Sequence, residues 1–169
     1  NQNGDSVFVD AEHYIDASDN STLSFATGST LPIGSYTGVK FTFGLNADKN
    51  ISQRYPNAPE SNMEWPEPMG GGYHFMKLEG KYDSLATGNI KNYHTHTGSI
   101  TMMGMTHLNH FDVTLNQNFE VKGHSNATII LDMNINNWYD APVYDFNDYG
   151  GIMSLTGVQD TVQTNGANV

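Results

Sequence analysis

The chain contains no cysteine, which excludes disulfides and thiolate metal sites. Basic residues are scarce: 7 against 18 acidic ones give a formal charge of −11. Nucleic acid demands a cationic face that neutralises phosphates, and an anionic membrane surface demands the same, so both are poor partners. No apolar run approaches the ~20 residues of a membrane-spanning helix. The opening residues, NQNGDS, lack the basic and apolar parts of a signal peptide. Either the mature chain starts there or an upstream part has been removed. No nucleophile elbow, glycine-rich phosphate loop or HExxH motif is present. No acid–base pair or nucleophile has a recognisable setting either, so turnover by this chain is not expected.

What remains is a chain of 169 residues, long enough to bury a core as one domain. Its hydrophobic share is low (37%), glycine is frequent (17 residues), and 9 Tyr, 8 Phe and 2 Trp argue against disorder. That mixture suits short strands joined by many turns. Residues 36–45 alternate, with Val39, Phe41, Phe43 and Leu45 on one face. Residues 127–135 do the same with Ile129, Leu131, Met133 and Ile135. Further strands are expected near 7–15, 22–26, 73–79, 91–96, 99–106, 110–115 and 118–122. Helical turns are expected around 136–141 and 156–163. Residues 46–72 hold four of the six prolines and no strand pattern; a connection of that length is a functional or packed loop. The architecture predicted is one all-β domain over 1–169, an antiparallel β-sandwich with long ordered loops.

The stretch YHTHTGSITMMGMTHLNH, residues 93–110, concentrates histidine and methionine. On a strand, His94 and His96 project from one face and form a chelating pair. Met103, Met105 and His107 share a face if the next segment is extended, and His110 follows from the adjoining turn or strand. Thioether with imidazole suits copper, Cu(I) in particular. The plainer reading is that methionine fills core space and isolated histidines hydrogen-bond within the fold. Asp145, Asn147 and Asp148 offer oxygen ligands for calcium, although an acidic turn without the EF-hand pattern is more often solvated. Trp65 stands in MEWPEPMGGGYHFMKLEG, where an aromatic plug would anchor the proline-rich loop. Tyr73, Trp138 and Tyr139 are candidates for stacking on a sugar.

Taken in order, IGSYTGVKFTFGLN, MEWPEPMGGGYHFMKLEG and YHTHTGS resemble the landmarks of the MbnP-like domain family, as does the tail from residue 133 onward. The likeness runs from about residue 7 to the end and is to Bacteroidota-type members. It implies a secreted or outer-membrane-associated β-sandwich linked to copper. In that family a tryptophan is oxidised to kynurenine, often with a di-haem partner enzyme, and the product joins histidines around Cu(I). By position Trp65 matches the tryptophan of Met-x-Trp, and His96 matches the histidine of His-x-Gly. Two features depart from the pattern: Pro66, Glu67 and Pro68 follow Trp65 where a histidine is usual, and the loop's second tryptophan is missing. The family's first strands are also expected to be absent, as if the chain were trimmed at its N-terminus.

Asp-(Ser/Thr)-apolar tripeptides at Ser6, Ser84 and Thr161 resemble the O-glycosylation acceptor of exported Bacteroidota proteins. The function expected is therefore copper storage, scavenging or delivery by an exported protein, periplasmic or at the cell surface, using His94, His96, His107, His110, Met103 and Met105. The alternative is a non-catalytic interaction module docked on an outer-membrane complex.

Overall fold

The computed structural model describes residues 4, 6–9, 12–123 and 126–168. It is predominantly β, with antiparallel strand pairs and one α-helix, the all-β sandwich class that the alternating patterns predict. The strands are β1 (Gly34–Tyr36), β2 (Val39–Phe43), β3 (His74–Ser84), β4 (Asn89–Gly98), β5 (Ile100–Met102), β6 (Met105–His107), β7 (Phe111–Leu115) and β8 (Phe119–Val121). The helix α1 spans Thr156–Gly166. Strands pair as β1–β8, β2–β7, β3–β4 and β5–β6. Among the described residues no helix is long and apolar enough to cross a membrane.

Two compact units emerge, residues 1–40 with 114–131 and residues 41–113 with 132–169. In the first, β1 and β8 pair in register from Gly34↔Val121 to Tyr36↔Phe119, and the rings of Tyr36 and Phe119 stack 5.0 Å apart. The Tyr36 hydroxyl donates to the Pro32 carbonyl at 2.8 Å, which closes the turn before β1.

The second unit carries the larger core, built from Trp138, Tyr144, Ile152 and Val162, with Phe43, Met76, Phe111 and Phe146 packed on it. Residues Ile135–Tyr139 form a 3₁₀ turn that Asn134 caps through its side chain. This turn carries Trp138 inward, and α1 closes over the indole at Gly166. A Cβ there would lie 2.3 Å from the ring, so the helix approaches only because that residue has none. Gln159 is wholly buried on α1 yet fully used. Its Oε1 accepts from Gly98 N (3.2 Å) and Asn109 Nδ2 (2.9 Å), while its Nε2 donates to the carbonyls of Ile152 and Met153.

Some expected strands are not there. Residues 127–135 form none, and Ile129, Ile130, Leu131, Met133 and Ile135 stand exposed. Alternation marks a segment able to bury one face, but a strand also needs a neighbour to receive its backbone hydrogen bonds. Of the strands expected at 7–15 and 22–26, residues 7–9, 12–15 and 23–26 form none and Thr22 ends a 3₁₀ turn, with 10 and 11 outside the described residues. The segment 99–106 is two strands, not one. The chain reverses at Met103 (φ 51°) and Gly104 (φ 77°), both in the left-handed region that a tight hairpin turn requires.

Candidate metal centre

Strands β3 and β4 form a long hairpin whose register places Glu79 opposite His94 and Lys77 opposite His96. Side chains alternate along a strand, and the core decides which set turns inward. Thr95 and Thr97 are buried, and Thr95 Oγ1 accepts from the Tyr139 hydroxyl at 2.9 Å. Tyr93 stacks on Phe146 with centroids 4.4 Å apart, in space left by Gly80 across the hairpin. With those residues facing the core, His94 and His96 share the opposite face. The outer edge of β4 is held at the same point, since His94 N donates to the Gly150 carbonyl at 2.7 Å.

Glu79, His94 and His96 form the one group of three metal-ligating side chains among the described residues, counting His, Asp and Glu, with their ligand atoms all within 4.8 Å of one another. His96 Nε2 lies 2.6 Å from Glu79 Oε1, and His94 Nδ1 lies 3.8 Å from the same oxygen. Because a carboxylate only accepts, the His96 Nε2–H is the donor. That hydrogen bond is the main reason the Glu79 carboxyl sits below its ordinary pKa, with both imidazoles adding to the shift. The carboxylate is therefore ionised and aimed at two ring nitrogens. Two imidazoles and a carboxylate are a borderline donor set, suited to Cu(II) or Zn(II). Ligand bonds of ~2.0–2.2 Å are within reach of this spread of atoms.

Behind this group stands a wall of rings. Trp65 is 2% exposed. The loop that carries it closes where Trp65 N donates to the Gly72 carbonyl (2.8 Å) and Glu64 bridges to Tyr73. Ser52 Oγ and Asn50 Oδ1 accept from Gly72 N and Tyr73 N, each at 2.8 Å, which pins the glycine run against residues 50–52. A Cβ on Gly98 would lie 2.7 Å from the indole, so the glycine of His-x-Gly is the seat on which Trp65 rests.

His74 meets Trp65 edge-to-face at 4.7 Å and His96 at 5.1 Å. Its Nδ1–H donates to the Met63 carbonyl at 3.0 Å. Its Nε2 and the Trp65 Nε1 are buried and have no hydrogen-bond partner among the described residues. Burial pushes the His74 pKa down to about 4, so the ring is neutral with a bare lone pair on Nε2. A histidine fixed through one nitrogen to a carbonyl, with the other left open, is how metal-binding imidazoles are commonly oriented. The donor set of Glu79, His94 and His96 fits a borderline divalent metal, while the His74 lone pair lies outside that group and the Trp65 Nε1–H can only donate.

The other predicted residues lie elsewhere. Met103 is in the β5–β6 turn and Met105 on β6, both exposed. His107, on β6, has Nδ1 3.9 Å from Asp160 Oδ1. His110 stands just before β7, where its buried Nδ1 has no hydrogen-bond partner among the described residues and its carbonyl accepts from Gln163. Asp145 Oδ1 accepts from the backbone and side-chain nitrogens of Asn147 (2.7 and 2.9 Å), so it is engaged in its own turn. Ser84 is buried and donates to Asn147 Oδ1 at 2.8 Å. Thr161 Oγ1 donates to the Gly157 carbonyl at 3.2 Å. Ser6 is exposed, with Asp5 outside the described residues. Tyr73 and Trp138 are buried and offer no platform for a sugar.

Glu79 and His74 were not singled out from the sequence. Glu79 lies in the L-E-G landmark, and only the hairpin register brings it to His94. The family model for MbnP matches residues 1–154. No curated protein and no solved structure matches the chain.

Proposed function

The chain belongs to the MbnP family, and from that premise we propose that it is an exported, single-domain copper-binding protein that acts by storage, scavenging or delivery, without turnover. The family is copper-linked. The observation that carries the reading is the convergence of Glu79, His94 and His96 beside Trp65 and His74.

In this reading His94 Nδ1, His96 Nε2 and the Glu79 carboxylate hold the ion. His96 binds through the nitrogen that otherwise donates to Glu79, so its remaining proton resides on Nδ1. The neutral His74 lines the inner side with a free lone pair. Trp65 is the residue for oxidative modification, carried out by a di-haem partner enzyme. Its burial against Gly98 and His74 keeps the ring in one position and shields it from indiscriminate oxidation.

The test is a Cu(II) competition titration of metal-stripped protein. Wild type should bind one equivalent at this group, and the His94→Ala/His96→Ala variant should lose it. Equal binding by both would sink the reading. Intact mass of protein from its native source reports on Trp65, since kynurenine formation changes the mass by a fixed amount.

One observation favours a second reading, an interaction module. The apolar side chains of Ile129, Ile130, Leu131 and Met133 are exposed in a stretch without a strand partner among the described residues. Stoichiometric co-purification of an outer-membrane complex, lost on Ile130→Asp, would support it.

A further inference from the structure

We propose that the β5–β6 hairpin forms a separate site for a soft monovalent cation, Cu(I), from the thioethers of Met102 and Met105 and the imidazole of His107. None of these belongs to the Glu79 group, and the argument stands without it.

The register settles which residues meet. Met102 is directly opposite Met105, Thr101 opposite Thr106, and Ile100 opposite His107. Cross-strand partners share a face and successive pairs alternate, so Met102, Met105 and His107 lie on one side of the hairpin. The hydroxyls of Thr101 and Thr106 meet at 2.9 Å on the other side, as that alternation requires. The sequence alone pairs Met103 with Met105 and His107. The turn at Met103–Gly104 removes Met103 from the ladder and puts Met102 in its place.

Methionine ordinarily fills gaps in a core. Here Met102, Met103 and Met105 are 41%, 96% and 64% exposed, so packing does not explain them. Two thioethers held opposite each other at a hairpin end form a pincer of soft donors. His107 stands two pairs further in, the next position on the same face, and is half-buried. The Asp160 carboxylate lies 3.9 Å from its Nδ1, too far for a hydrogen bond but near enough to add negative charge beside the ring. Two thioethers and an imidazole select Cu(I) and reject Zn(II), Ca²⁺ and Mg²⁺, which prefer harder ligands. A net charge of −11 draws cations generally. The Glu79 group, with its carboxylate, suits the divalent ion. The two sites would thus sort copper by oxidation state.

The experiment uses the full chain with ¹³C-methyl methionine, titrated with Ag(I) as a redox-inert probe and with Cu(I) under ascorbate without oxygen. The Met102 and Met105 methyl resonances should move together and saturate at one equivalent, and Zn(II) should leave them in place. Met102→Leu/Met105→Leu keeps the apolar bulk and should lose one equivalent of Ag(I) while retaining Zn(II) at the Glu79 group. His107→Gln should weaken Ag(I) binding at least tenfold. Met103→Asn, which suits the left-handed turn better, should bind as wild type. Unmoved Met102 and Met105 methyls, undiminished Ag(I) stoichiometry in the double Leu variant, or loss of binding in Met103→Asn would each overturn the proposal.

Discussion

Glu79 and His96 are joined by a 2.6 Å hydrogen bond although they are not cross-strand partners: Glu79 pairs with His94, and His96 with Lys77. The carboxylate reaches diagonally along the hairpin and serves both histidines. A direct pair would have left one imidazole out. Because Glu79 is about half exposed, the bond adds little to folding, and its consequence is the arrangement of donors.

Glu79→Gln keeps an acceptor and removes the charge. Its thermal unfolding should change by under ~1 kcal/mol, as for other exposed pairs. Its Cu(II) affinity should fall at least tenfold in a chelator competition. A large loss of stability with unchanged affinity would mean that the carboxylate is structural.

Gly98→Ala places a methyl group against the Trp65 indole. The expected cost is ~1–3 kcal/mol, the usual penalty for overpacking a closed site. Urea unfolding followed by tryptophan fluorescence measures it. A neutral outcome would show that the Trp65 loop yields freely.

Gln159→Leu removes four hydrogen bonds, to Gly98 N, Asn109 Nδ2 and the carbonyls of Ile152 and Met153, although Asn109 Nδ2 keeps the Gly98 carbonyl and the Ile152 carbonyl keeps Leu155 N. At ~1–3 kcal/mol for each unsatisfied group, partly relieved by rearrangement, a loss of at least ~2 kcal/mol is expected by chemical denaturation. Retained stability would show that water replaces the side chain without strain.

His74 has a folded pKa of about 4 against an ordinary 6.5. Between these values the unfolded chain binds a proton that the folded chain does not, so stability rises with pH across that window. Its contribution is fully present above the ordinary value, is lost as pH falls toward 4, and is level below that. In metal-free protein, NMR should place the His74 titration near 4. His74→Phe should be less sensitive than wild type to acidification from pH 7 to 5. Titration of His74 near its ordinary pKa would contradict its burial.

Much of this could be read from the residues. The i, i+2 spacing of His94 and His96 implies a shared face on any strand, the alternating run 36–45 marks β2, and the strands expected near 73–79 and 91–96 fall within the longer β3 and β4. The helix α1, which begins at Thr156, is legible in GVQDTVQ. The pattern could not supply pairing partners. Glu79 enters the site through register, which is set between distant segments, and His74 through a loop that folds back at Trp65. Residues 127–135 alternate as a strand should, yet no neighbour among the described residues pairs with them. At Met103 the local reading failed for a different reason: one glycine, Gly104, turns an apparently continuous strand into a hairpin and exchanges Met103 for Met102 on the ladder.

The most direct test of the central claim is electron paramagnetic resonance of Cu(II)-loaded protein, with ¹⁵N-histidine to identify the ligands. Two imidazole nitrogens should couple to the copper in wild type, one should remain in His94→Ala and in His96→Ala, and the signal of bound copper should vanish in the double variant. An unchanged spectrum in the double variant would contradict the account.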